Sequence, residues 1–423
     1  SCRFYPDYRW GAFRSLSCGW VLREESFMQR IESPSFLKLG ASYGELGNER
    51  IGNYPYQATM GFSDALMWQG SSVVSAQSAA QWQYAIRDIT WESTATYNFG
   101  IDVNFFNNKL RLIGDYYHKY TKDMLLPLEI PDYMGFDNPD QNAGKMNTKG
   151  WDLEINWNDN VGDLSYSVSF NLSDAETEIG DLGGIEFKGS QIIAKGTHYN
   201  EWYGYKSDGL FQNQQEVENS ATTSDAVRPG DVKYVDISGP DGEPDGNISP
   251  EYDRVELGGS LPRYQYGSNI QLNYKNLDFS LVIQGVGKKN DMVGDFMVEP
   301  MVGGHHGKIP EVLDGEYWSH YNSESENRNT EYPRLTHVGK SNNYATSDYW
   351  MINGAYLRLK NITLGYTLPQ NLTQQLKIQQ IRIYGNISDL YSFNNYPKGW
   401  DPEVSTSGHP ITTDLIFGAT VTF

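Results

Sequence analysis

The chain has 423 residues, a net charge of −20 and a mean hydropathy of −0.58. That acidity argues against nucleic-acid binding, which needs a basic surface for phosphate contacts. No stretch approaches the apolar run of a membrane helix. A barrel wall, however, exposes only alternate residues to lipid and keeps a soluble-looking mean hydropathy, so a membrane protein stays open.

The chain begins polar, at Ser1-Cys2-Arg3-Phe4, without a signal peptide; it was processed, or it starts inside a longer protein. Cys2 and Cys18 are the only cysteines and can pair or stay as two thiols. Beyond them runs a period of two, the mark of strands with one apolar face. Tyr97, Phe99, Ile101, Val103 and Phe105 alternate with Asn98, Gly100, Asp102 and Asn104. Trp151, Leu153, Ile155 and Trp157 alternate with Asp152, Glu154 and Asn156. Tyr264, Tyr266, Ile270, Leu272 and Tyr274 alternate with Gln265, Gly267, Asn269, Gln271 and Asn273. Leu277, Phe279, Leu281 and Ile283 follow in the same way, then Ile381, Ile383 and Ile387. The chain closes on Leu415, Phe417, Ala419, Val421 and Phe423, again on one face. Rings near both ends of a strand suit two interfacial girdles. One segment breaks phase: Leu357 and Leu359 are offset from Ile362, Leu364, Tyr366 and Leu368. Either a bulge near Lys360 and Asn361 re-phases the strand, or the two leucines face inward near the outer mouth.

The pattern predicts about eleven strands, near 10–22, 35–47, 91–106, 109–124, 145–158, 163–177, 262–275, 276–291, 350–369, 377–393 and 412–423. Polar turns at Asn107-Asn108, Asn158 to Asp163 and Lys275-Asn276 alternate with long loops at 48–90, 125–144, 178–261, 292–349 and 394–411. Connectors 23–34 and 369–376 fall on the short side. Short turns on one side and long loops on the other are the layout of an all-β, transmembrane antiparallel β-barrel of the bacterial outer membrane. Its long loops lie outside the cell. An odd strand count beginning with a downward strand means that an even-stranded single-chain barrel lacks its beginning here; eleven strands closing alone would join parallel at the seam.

Several segments in order resemble the C-terminal half of the SusC/RagA-type TonB-dependent outer-membrane transporters. They include Arg9-Trp10-Gly11, Leu37 to Gly44, Trp91-Glu92, Asp115-Tyr116-Tyr117, Thr121 to Leu125 and Asn142-Ala143-Gly144. Farther on come Tyr203-Gly204-Tyr205, Asp208-Gly209-Leu210-Phe211, Gly230-Asp231-Val232-Lys233-Tyr234, Tyr356 to Asn361 and Asp401-Pro402-Glu403. The resemblance implies that residues 1–423 are the second half of a plugged barrel of roughly 22 strands. The plug, the first strands and the TonB-contacting segment would precede Ser1. It also implies a SusD-like surface lipoprotein over the mouth, an oligosaccharide or peptide ligand, and import energised through TonB.

Candidate sites lie in the loops. Asp241, Glu243, Asp245, Asn247, Ser249 and Asp253 follow the alternating oxygens of a calcium loop, with Gly246 and Ile248 at its turn and anchor positions. Asp253 comes one residue late, and the segment departs from the family's usual run through Ser238-Gly239-Pro240. The alternative is an acidic turn without metal. Trp202, Tyr203 and Tyr205 are candidate substrate contacts, stacking on sugar rings, or else loop packing. His305-His306 is a metal or ligand contact, or a solvated loop. No nucleophile triad, phosphate loop or Cys/His cluster stands out, so no enzyme is expected. The competing class is a soluble secreted β-sheet protein that binds or cleaves glycans.

Overall fold

The computed structural model describes residues 1–423 apart from 29, 82, 128–129, 185, 295–296, 303–306, 337–339 and 405–407. His305-His306 lies outside the described residues. The main sheet comprises β1 (Ser15–Val21), β2 (Phe36–Asn48), β3 (Glu92–Phe105), β4 (Leu110–Pro127), β5 (Asp140–Val161) and β6 (Leu164–Ile179). It continues through β7 (Arg263–Tyr274), β8 (Leu277–Lys288), β9 (Tyr356–Thr367), β10 (Gln380–Asn394) and β11 (Asp414–Thr422). These eleven strands neighbour one another in chain order, each pair antiparallel. Such a meander is what short turns between period-two strands produce. The tight turn after β3 is made by Asn107 and Asn108 at φ 55° and 67°, a region asparagine tolerates better than most residues. The sheet stays open: among the described residues β1 and β11 do not pair.

Register shows how the faces sort. Cross-strand partners share a face, so the row Val168, Ile270, Leu281, Ile362, Ile387 and Leu415 runs across six strands on one side. The adjacent row, from Ser167 through Gln271 and Ser280 to Thr363, lies on the other. The apolar side is bare: Phe99 is 59% exposed, Leu364 56% and Ile383 53%. Among the described residues nothing covers it, as expected of a surface whose solvent is lipid. Trp157 donates to the Tyr166 hydroxyl at 3.2 Å and packs near Phe106 at 5.9 Å, grouping rings at the short-turn rim.

The phase break is a bulge. Val282 pairs with Asn361 and Ile283 with Leu359, skipping Lys360, so Leu357 and Leu359 rejoin the apolar face. Several boundaries differ from the sequence reading; β4 runs on to Pro127 and β5 begins at Asp140, both inside the loop expected at 125–144. Residues 10–14 precede β1 and are not strand; Phe13 packs against Trp91 at 5.4 Å instead. The expected 350–369 strand is split: Met351–Asn353 pairs with Asn290–Met292, and the wall strand begins only at Tyr356. The loop expected at 48–90 contains a hairpin, Gly61–Gln69 with Ser72–Ala80. Local pattern cannot separate a wall strand from a strand in a loop, since both carry the same period.

Candidate functional site

The polar wall face and the long loops at one end are the candidate functional region. The face carries fixed hydrogen-bond groups. Asn98 donates to Asp115 at 3.0 Å, and Arg111 holds Asp102 through two bonds of 3.1 and 2.8 Å. Arg382 does the same to Asp278, and Asn386 bridges Asn361 and Thr363 at 2.8 Å each. A surface of this kind suits hydrated or hydrogen-bonding cargo rather than lipid.

The loops build cores of their own, two of them larger than the rest. The first gathers Tyr205, Leu210, Val232, Tyr234, Ile248 and Trp318; the second gathers Val293, Val298, Leu313, Tyr332 and Trp350. The motif residues explain the first. Asp231 is 1% exposed, and its carboxylate accepts from Arg334 at 2.6 and 3.0 Å, from Asn343 at 2.9 Å and from the Arg228 backbone at 2.8 Å. Lys233 pairs with Asp208 at 2.6 Å, joining two of the motifs. Gly230 has φ 86°, and a Cβ there would meet the Trp318 ring at 2.4 Å, so glycine is required. Gly204 is glycine for close approach: a Cβ would sit 2.1 Å from the Thr346 carbonyl, which accepts from Tyr205 N at 2.9 Å.

The aromatic candidates are therefore packed. Tyr203 and Tyr205 are 9% and 7% exposed, Tyr203 beneath the Arg254 guanidinium at 4.8 Å and Tyr205 against Tyr234 at 5.0 Å. Neither presents a free ring face. Trp202 is half-buried and donates to the Asn290 carbonyl at 2.8 Å, tying two loops together.

In the acidic turn, Asp241, Glu243, Asp245 and Asn247 are exposed, whereas Asp253 is fully buried. Both oxygens of Asp253 are engaged by backbone N–H groups, of Ile237 at 2.8 Å, Ser238 at 3.2 Å and Ser249 at 2.7 Å. Asp236 accepts from Gly246 N at 2.7 Å, and Asp245 from Asn247 N at 2.9 Å. No three acidic, His or Cys groups converge as metal ligands among the described residues. As arranged, the six residues do not fit a calcium ion; Asp253 organises the turn by itself. Cys2 and Cys18 are free and exposed.

Sequence reasoning missed a charge cluster at the mouth end of β9 and β10. Arg358, 3% exposed, meets Asp401 at 2.7 Å, Glu403 at 3.1 Å and Asp389 at 3.6 Å. Lys360 meets Asp389 at 2.8 Å and Glu403 at 3.5 Å. Its signal was present, since Tyr356 to Asn361 and Asp401-Pro402-Glu403 both carry family resemblance, but their pairing was not.

A family model described as the TonB dependent receptor-like β-barrel matches residues 35–283. The TonB-dependent receptor P3 of Formosa agariphila is 29% identical over 419 residues, covering 96% of this chain and 39% of that protein. The TonB-dependent receptor SusC of Bacteroides thetaiotaomicron is 27% identical over 442 residues, 100% of this chain and 41% of SusC. The solved RagAB peptide transporter matches with a TM-score of 0.78 at 24% identity, over 100% of this chain and 44% of that one, a likeness of fold. The chain spans about two fifths of the length of these sequence relatives. With an antiparallel wall, an apolar outer face, a polar inner face and this family match over more than half its length, the chain belongs to the TonB-dependent receptor β-barrel family and is an outer-membrane wall.

Proposed function

We propose that this chain is the C-terminal part of an outer-membrane importer for oligosaccharides or peptides, energised through TonB. A plug and further strands from an N-terminal part complete the barrel, and a SusD-like lipoprotein covers the loop side. The observation that carries the reading is the continuity of the polar wall face with the folded mouth loops at one end of an apolar-backed sheet. The fold of the RagAB peptide transporter supports a peptide, and the resemblance of the sequence motifs to the SusC/RagA type keeps an oligosaccharide beside it, so both classes stay in the proposal. Deleting the gene should abolish growth on one defined pool, oligosaccharide or peptide, and wild-type growth on both pools would refute import as its role. Co-purification of a lipoprotein with the tagged full-length protein tests the lid.

The soluble glycan-binding alternative is disfavoured by the uncovered apolar face, and recovery of the protein in the soluble fraction of lysed cells would revive it. Calcium at 241–253 is kept as a proposal on the sequence pattern alone. Its ligands would have to be Asp241, Glu243 and Asp245 drawn inward, and calorimetric titration of the full-length protein tests it.

A further inference from the structure

The segment between β10 and β11 crosses from the wall to the loop body and is anchored to each. On the wall side, Asp401 and Glu403 are bound by Arg358, and Lys360 adds to Glu403. Asp401 also accepts from the Glu403 backbone at 2.9 Å and from Ile411 N at 3.1 Å, which folds the segment back on itself. On the loop side, the Tyr396 hydroxyl donates to Asp291 at 2.6 Å, and Asp291 also pairs with Lys289 at 2.8 Å. Asp291 sits in the short strand paired with Met351–Asn353, and Trp400 packs on the second loop core. Five charged groups meet at the wall anchor, three carboxylates and two cations. Arg358 and Asp401 are the desolvated pair that joins strap to wall; removing either leaves the other without its main partner, so the strap is held firmly only while this pair is intact.

We propose that residues 396–403 are a strap, latched to the wall by Arg358, that holds the second loop core in fixed register over the wall. Opening the latch frees the strap and that loop body together and leaves the wall strands intact. The coupling runs through two contacts on the strap, the Tyr396–Asp291 bond and the Trp400 packing. Asp389 has a different role. It lies in β10 and pairs with Lys360 of β9, so this bond joins wall to wall.

Amide hydrogen exchange on the full-length protein in lipid nanodiscs tests the latch. With Arg358→Gln, amides of 398–404 and of 290–293 and 351–353 should exchange roughly tenfold faster or more, while those of 362–367 and 381–387 stay as in wild type. Asp401→Asn, changed on the strap alone, should reproduce this, and it serves if the Arg358 variant fails to reach the membrane. Asp389→Asn should leave strap exchange near wild type. Equal acceleration of wall strands in the Asp401 variant would overturn the proposal, making the cluster wall glue. Unchanged strap exchange in that variant would overturn it as well, and so would a freed strap with unchanged exchange at 290–293 and 351–353.

Discussion

Replacing Ile270 by Arg is the sharpest probe of the wall's two faces. Ile270 lies four residues from Tyr274, which stands at the short-turn end of β7. At about 3.4 Å per residue and a tilt of about 40°, it sits about 10 Å above that ring. The apolar band of such barrels is about 25 Å tall, which places Ile270 near its middle. An Arg there should cost roughly 2–4 kcal/mol, a factor of roughly 30 to 1,000 in the folding equilibrium. Asn269, one residue away, faces Ser169 and Val282 on the polar side, so Arg there should cost well under about 1 kcal/mol. The assay is reversible guanidinium unfolding of the full-length protein in lipid vesicles, followed by tryptophan fluorescence. Equal losses for the two variants, or a larger loss at 269, would refute the assignment of faces.

The loop body offers further tests. Gly204→Ala should destabilise the Tyr205–Thr346 junction by about 1–3 kcal/mol, because its Cβ would press on a backbone carbonyl; faster proteolysis within 201–210 checks it. Asp231→Ala removes the buried carboxylate that half-buried Arg334 and buried Asn343 share and should cost about 2–4 kcal/mol locally, read as loop cleavage with the wall still folded. Burial, and then the neighbouring Glu256, pushes the Glu201 carboxyl up to about 7. The loop sheet in which Glu201–Tyr205 pairs with Arg254–Gly259 should thus be most stable below the ordinary carboxylate value and weaken as pH rises toward 7; Glu256→Gln should flatten that decline in exchange protection of 201–205.

The period of two was enough to assign the wall, because each wall residue meets either lipid or water and that choice is written in its own side chain. Hence Ile270 and Gln271, or Phe417 and Gly418, could be sorted without coordinates, and the slip in phase near Lys360 was visible, though only the strand pairing chose a bulge over inward-facing leucines. The loops obey no such rule. Whether Tyr203 and Tyr205 stack on a ligand or fill a core depends on Arg254, Tyr234 and Thr346, which come from other parts of the chain. Spacing offers Asp253 as a cation ligand, whereas only the folded turn brings the N–H groups of Ile237, Ser238 and Ser249 to its oxygens. Arg358 and Asp401 each stood in a recognisable motif, but the wall had to form before one could reach the other. Sequence alone determined the faces and order of the strands, where the constraint is local; tertiary structure decided the charge partners and loop cores, where it is a meeting of distant segments.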